Sequence, residues 1–176
     1  MTDFEYRLAD RKDELEWLYM ELYDDRAKLN ELEQAMLDAY AARSMGLRQL
    51  DGYREREPGW FLSGNMLGMT MYTNLFAGDL SGLEKKLDYL SAQGVTYLHL
   101  MPLLKMPHPD NDGGYAVEDF TRVDPSMGAN ADLERLTAAM RKRGMSLCLD
   151  FVLNHTADTH QWAVRAKAGE REYIDH

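Results

Sequence analysis

The sequence predicts an α/β fold in which a helical N-terminal stretch precedes strands that lie parallel in a sheet. Three observations predict it. Apolar residues recur at helical spacing from Phe4 to about Leu50. From Met66 onward, short apolar runs alternate with helical stretches in the order strand, helix, strand, helix, strand. These runs are apolar throughout rather than at every second position, as strands of a parallel sheet covered on both faces require.

The first helix is carried by Phe4, Leu8, Leu15, Leu18 and Leu22, with acids and bases between them. A second helical stretch runs from about Leu29 to Leu50, with Leu32, Met36, Leu37 and Tyr40 on one side and with Gly46 and Gly52 weakening its end. Amphipathic helices of this length need a surface to cover their apolar faces. A helical hairpin packed on the rest of the chain is preferred to a separate binding module. The chain divides near Gly52–Gly64. Met66–Thr73 then reads as a buried strand and Asn74–Asp79 as a loop. Ser81 and Glu84 have the spacing of a capping box for a helix carrying Leu80, Leu83, Leu87 and Leu90, which Gly94 ends.

Val95–Met101 is the second strand, stopped by Pro102. A long loop comes next, from Leu103 to Asp124, with Pro107, Pro109, Gly113 and Gly114. Asn130 is placed to cap a third helix, with Asp132 and Glu134 in its first turn, where the dipole favours acids. Its buried stripe is Leu133, Leu136 and Met140, and Gly144 ends it. Met145–Phe151 is the third strand, with Asp150 at its edge. Two architectures share this grammar, the open doubly wound sheet and the closed barrel. The phosphate-binding G-x-G-x-x-G and P-loop strings are missing after the first strand, and polar residues gather where the second and third strands end. Both features favour the barrel, whose site is built by the loops at the C-terminal ends of its strands.

Composition narrows the function. The chain has 176 residues, 45% hydrophobic and 28% charged, normal for a globular protein. Its net charge of −10 repels phosphate backbones, so nucleic acid is not an expected partner. The charged stretch Met1–Glu16 does not read as a signal peptide or membrane helix, and a cytoplasmic location without membrane partners is expected. One cysteine, Cys148, excludes an internal disulfide and suits a reducing compartment. Lying inside an apolar strand, it does not read as a nucleophile. The 12 methionines read as core gap-fillers. No H-E-x-x-H, Cys/His metal spacing or G-x-S-x-G elbow exists.

Two clusters could carry chemistry. In Asp110-Asn111-Asp112-Gly113-Gly114-Tyr115, paired glycines permit a tight turn that brings Asp112 and Tyr115 near each other. A carboxylate accepts hydrogen bonds from sugar hydroxyls, and an aromatic face stacks on a sugar ring. The same string also reads as an ordinary solvated turn. In Asp150-Phe151-Val152-Leu153-Asn154-His155, a carboxylate leaves a buried strand and needs a partner, an arginine or backbone donors. Asn154 and His155 then offer donors and acceptors at the strand's mouth, or serve as a turn residue and an incidental histidine. His99 reads as a satisfied core histidine, while His108 and His160 have no evident partner.

Together these strings resemble glycoside hydrolase family 13, the α-amylase superfamily. Asp150–His155 is similar to the family segment D-x-x-x-N-H after the third barrel strand. Asp112-Gly113-Gly114-Tyr115-Ala116-Val117, with Val123-Asp124-Pro125, resembles the segment after the second. Leu75-Phe76-Ala77-Gly78-Asp79-Leu80 and Thr96-Tyr97-Leu98-His99-Leu100-Met101-Pro102-Leu103 are similar to amylosucrases and sucrose hydrolases, as are the N-terminal helices.

The resemblance implies a helical domain over residues 1–55, then over 56–176 the first three β/α units of a (β/α)8 TIM barrel. It implies that Tyr115 stacks on the glucosyl ring, that His155 hydrogen-bonds its hydroxyls, and that Asp112 lines the pocket floor. Asp150 and Asn154 would support the site from behind. A small carbohydrate, sucrose or an α-glucan, is the implied substrate, and no metal or cofactor is implied. The family's retaining mechanism needs a nucleophile and an acid/base from segments after later strands. No G-x-R-x-D segment is present, so no catalytic carboxylate is assigned within these residues, and the chain is expected to be part of a longer enzyme.

Overall fold

The computed structural model describes residues 3–174, which form two compact units, one up to Trp60 and one from Phe61. The first unit holds α1 (Asp3–Tyr23), α2 (Arg26–Ala42) and α3 (Met45–Arg56). The expected continuous second helix is two helices, broken at Arg43–Ser44. Ser44 caps α3 through the Leu47 amide, and Gly46 and Gly52 stay inside that helix. The Arg48 guanidinium reaches back to the carbonyls of Tyr40, Ala41 and Arg43, satisfying acceptors that the end of α2 leaves without partners. A two-pronged Arg43–Asp51 pair, with both contacts at 2.7 Å, fixes the corner. Helix α1 meets α2 through stacked Phe4 and Tyr40 rings (4.9 Å) and a Lys12–Glu33 pair (2.8 Å). It buries no residue of its own.

The second unit is built on three parallel strands, β1 (Gly68–Met71), β2 (Tyr97–Leu100) and, at the far edge, β5 (Ser146–Leu149), in the order β1-β2-β5. The predicted α/β alternation and parallel sheet are present. Between β1 and β2 the expected 74–79 loop is a short helix, α4 (Thr73–Ala77), and the next helix is split into α5 (Leu80–Lys85) and α6 (Leu87–Ala92). The split falls at Lys86, whose backbone leaves helical values (φ −95°, ψ 0°). Asp79, not Ser81, caps α5, accepting from the Gly82 amide at 2.6 Å. Ser81 lies inside the helix, so its hydroxyl does not reach the first-turn amides a capping box needs.

The expected long loop between β2 and the next helix contains an antiparallel pair, β3 (Leu104–Lys105) and β4 (Asp119–Val123). Helix α7 (Asn130–Arg141) comes after it. Asn130 does not cap it. Its side chain takes the Val123 amide and donates to the Thr121 carbonyl, tying α7 to β4, while Asp132 binds the Ala129 amide at 2.7 Å. After β5 come α8 (Gln161–Lys167) and α9 (Arg171–Ile174).

The strands are not covered alike on their two faces. One face carries Met71, Leu98 and Leu100 into a core with Leu80, Leu83, Leu87, Leu90, Leu136 and Met140. Each such leucine stabilises the fold by roughly 1.5–3 kcal/mol relative to exposure. The other face presents Thr70, His99 and Cys148 in one register row, exposed or half-buried. The expectation of burial on both faces therefore fails for the described residues. An apolar run hides the period-two alternation that assigns its members to different surroundings.

Candidate active site

The polar row sits where the strands end. Side chains alternate across a strand, so Thr70 and Tyr72 share a face, as do Cys148 and Asp150. That face is opposite the leucine core. Asp150 does not pair with an arginine. Its Oδ1 lies 2.9 Å from His99 Nε2, both side chains half-buried. His99 Nδ1 is 3.4 Å from the Thr70 hydroxyl. The expectation of a core histidine is corrected: Leu98 and Leu100 point into the core, and His99 between them points the other way.

Tyr115 joins this row. Its hydroxyl lies near enough to Asp150 and Tyr72 for both to bear on its ionisation. Burial pushes the Tyr115 phenol above its ordinary value, and the Asp150 charge and Tyr72 push it in the same direction. Tyr115 reaches the row because the preceding turn is tight. Gly113 and Gly114 have φ of +86° and +91°, and a Cβ on Gly114 would meet Pro102 Cβ at 2.8 Å and Met106 Cε at 2.9 Å. Only glycine satisfies both the backbone angle and the close approach.

Asp112 holds the same turn. Its Oδ1 accepts from the Ala116 amide at 2.8 Å, and the Asn111 side chain accepts from the Gly113 amide at 3.0 Å. Asp112 is exposed. Asn154 and His155 are exposed too and contact each other, Nδ2 to Nδ1, at 3.2 Å. The structure thus brings Tyr115 and Asp150 together. Among the described residues it does not link Asp112, Asn154 or His155 to them by a hydrogen bond.

The loop that bears Tyr115 is anchored from below by Asp124, which is fully buried. Its carboxylate accepts from the amides of Met106 (3.2 Å) and Ser126 (2.9 Å), the Ser126 hydroxyl (2.5 Å) and His108 Nε2 (3.0 Å). Burial alone would raise its pKa, but these donors outweigh it and hold the carboxyl below its usual range. His108 therefore has a partner that its sequence surroundings did not reveal. His160 has a role as well, capping α8 by accepting the Trp162 amide at Nδ1.

Tyr72, His99 and Asp124 are the residues that sequence reasoning missed. A signal existed for the first two. Counting alternate positions from the core leucines places His99 opposite Leu98 and Leu100, and Tyr72 opposite Met71. No local signal announces the Asp124 cluster, which joins segments on either side of the β3–β4 pair.

Parallel strands with crossing helices, and polar side chains gathered at the strands' C-terminal ends, match the opening part of a β/α barrel. The family model for the alpha amylase catalytic domain matches residues 33–176, and the chain belongs to that family. It is 37% identical over 99 residues to an oligo-1,6-glucosidase of Heyndrickxia coagulans, covering 56% of this chain and 18% of that protein. It is 38% identical over 99 residues to the amino acid transporter heavy chain SLC3A1 of Rattus norvegicus, covering 56% of this chain and 14% of that protein. Among solved structures it resembles the isomaltulose synthase SmuA from Protaminobacter rubrum, with a TM-score of 0.59 and 30% identity over 62% of this chain and 21% of that one. The chain thus spans about a sixth of the length of the curated relatives it matches.

Proposed function

We propose that these residues are the opening part of a retaining α-glucosyl hydrolase or transferase acting on sucrose, similar to amylosucrase. Residues 1–55 are read as a helical domain and 56–176 as the start of the catalytic barrel. The observation that carries this reading is the Tyr115–Asp150–His99 row at the mouth of parallel strands. There an aromatic ring beside a carboxylate offers a face that can stack on a sugar. Tyr115 stacks on the glucosyl unit, His155 binds its hydroxyls, and Asp112 lines the floor. Asp150 and Asn154 support these groups. The nucleophile and acid/base belong to later segments of the whole enzyme. The strings Leu75–Leu80 and Thr96–Leu103 support sucrose over starch, maltose or trehalose. The reading places the protein in the cytoplasm, and no described helix is long and apolar enough to cross a membrane.

Likeness to a transporter heavy chain favours a second reading, a non-catalytic member of the family that binds sugar or a partner. Fructose release from sucrose tests both. The whole reading frame containing these residues is compared with its Tyr115→Ala variant. Turnover that falls at least about 100-fold in the variant supports the first reading. Glucose release from maltose or trehalose with sucrose inert moves the substrate within the family. No turnover of any glucoside leaves the second reading.

A further inference from the structure

We infer that Phe120 is a positioning residue that ties the segment carrying Asn154 and His155 to the segment carrying Tyr115. Its bearing on sugar binding rests on the function proposed above; the tie itself does not.

Register places the ring. Lys105 of β3 faces Asp119 of β4, and the residue before it, Leu104, faces Val123. One step along β3 therefore spans four along β4, and Phe120, Thr121 and Arg122 bulge out of the ladder. A bulge bends its strand and re-aims the side chains it carries. This one is held from both sides. The Asp119 carboxylate accepts from the Thr121 amide at 2.8 Å and from the Thr121 hydroxyl at 2.6 Å. These bonds hold the Asp119 carboxyl below its ordinary pKa, so it is charged at neutral pH. The Asn130 side chain donates to the Thr121 carbonyl and accepts from the Val123 amide, both at 2.9 Å. Phe120, between Asp119 and Thr121, is thereby fixed at its backbone.

The ring meets the other segment twice. Its centroid lies 5.4 Å from that of Phe151, tilted, and 5.9 Å from that of His160, edge-on. Offset and edge-on arrangements are those in which aromatic pairs attract. His160 is itself fixed, since its Nδ1 accepts the Trp162 amide. Just before Phe120 in the chain, the Val117 carbonyl accepts the Ala157 amide at 2.9 Å, and both residues are buried. Asn154 and His155 thus lie between Phe151 on one side and Ala157 and His160 on the other. All three of those residues are held by Val117 or Phe120, close in sequence to Tyr115. Between these anchors the chain has little order of its own. Asn154 and His155 contact each other, and among the described residues no amide from Phe151 to Thr156 donates to a backbone carbonyl. The place of Asn154 and His155 is therefore set at the anchors, and Phe120 supplies two of the contacts.

The test uses the whole reading frame containing these residues and follows amide hydrogen exchange. The probes are the bonded amides of Ala157 and His160, with strand β2 as the control. Phe120→Ala should speed exchange at Ala157 and His160 about fivefold or more, with β2 unchanged. Phe120→Tyr keeps the ring and should return the parent rate. Unchanged exchange at Ala157 and His160 in Phe120→Ala overturns the inference. So does equal acceleration of β2, which marks a general loss of stability, or a Phe120→Tyr rate that matches Phe120→Ala. Should Phe120→Ala fail to fold, Phe151→Leu removes one ring contact from its exposed end. It should speed the same amides about twofold or more, and no change there also overturns the inference. Because the readout is exchange and not turnover, an enzyme inert on sucrose still reports the tie, and failure of the tie leaves the sucrose assay to be judged by itself.

Discussion

The two compact units of this chain are stabilised by different means. In residues 3–60 the helices are joined at their surfaces: caps at Asp25 and Ser44, the Arg43–Asp51 pair, the Arg48 carbonyl clamp and stacked Phe4 and Tyr40. Leu29 is the buried apolar residue of that unit, while Trp17 and Leu22 are 62% and 75% exposed. In residues 61–174 a leucine-rich core lies on one face of a parallel sheet. The difference shows how the chain divides its work. Local polar contacts suffice to shape helices, whereas holding a histidine, an aspartate and a tyrosine in one row needs a packed layer beneath them.

Breaking the core should have the largest effect. Leu98→Ala removes a fully buried side chain of β2 and should cost about 2–5 kcal/mol by denaturant unfolding, whereas Leu22→Ala in α1 should stay within about 0.5 kcal/mol. Equal costs would erase the contrast between the units. Gly114→Ala forces a side chain into left-handed backbone against Pro102 and Met106, and should cost about 1–3 kcal/mol. The same change should displace Tyr115, visible as an altered phenol titration.

Acid should expose the next contribution. The Asp124 carboxyl is held below its ordinary pKa, so its stabilisation is fully present at neutral pH. That stabilisation is lost as pH falls below about 4 and through the folded-state value. Asp124→Asn should be less stable than the parent by about 1–2 kcal/mol at pH 7, with the gap closing in that acidic window. A gap independent of pH would mean that geometry, not charge, carries the anchor. The smallest effect belongs to the helical unit. A double-mutant cycle on Arg43 and Asp51, whose side chains are part-exposed, should return under about 1 kcal/mol and shrink with salt.

Much of the fold is legible in the sequence because it rests on periodicity. The helices around Leu80–Leu90 and Leu133–Met140 and the strands at Met71, Leu98 and Leu147 arise from apolar spacing. The glycine pair before Tyr115 announces its turn. Helix ends and breaks are less legible, since they depend on which side chain reaches an orphan amide or carbonyl. Ser81 and Asp79 compete for the same helix start, and geometry selects Asp79. Arg48 ends α2 from inside the next helix, which no local pattern indicates.

By itself, the sequence determined the alternation of strands and helices, the parallel sheet and the family strings around Tyr115 and Asp150. These are properties of neighbours within a few residues, and short-range spacing records them. Only the tertiary structure decided that Asp150 takes His99 rather than an arginine and that Asp124 takes His108. Each of those outcomes joins residues 16 to 51 positions apart, brought together by strand register and loop closure. No local pattern encodes a partner at that distance, because it is chosen by the packing of the whole layer.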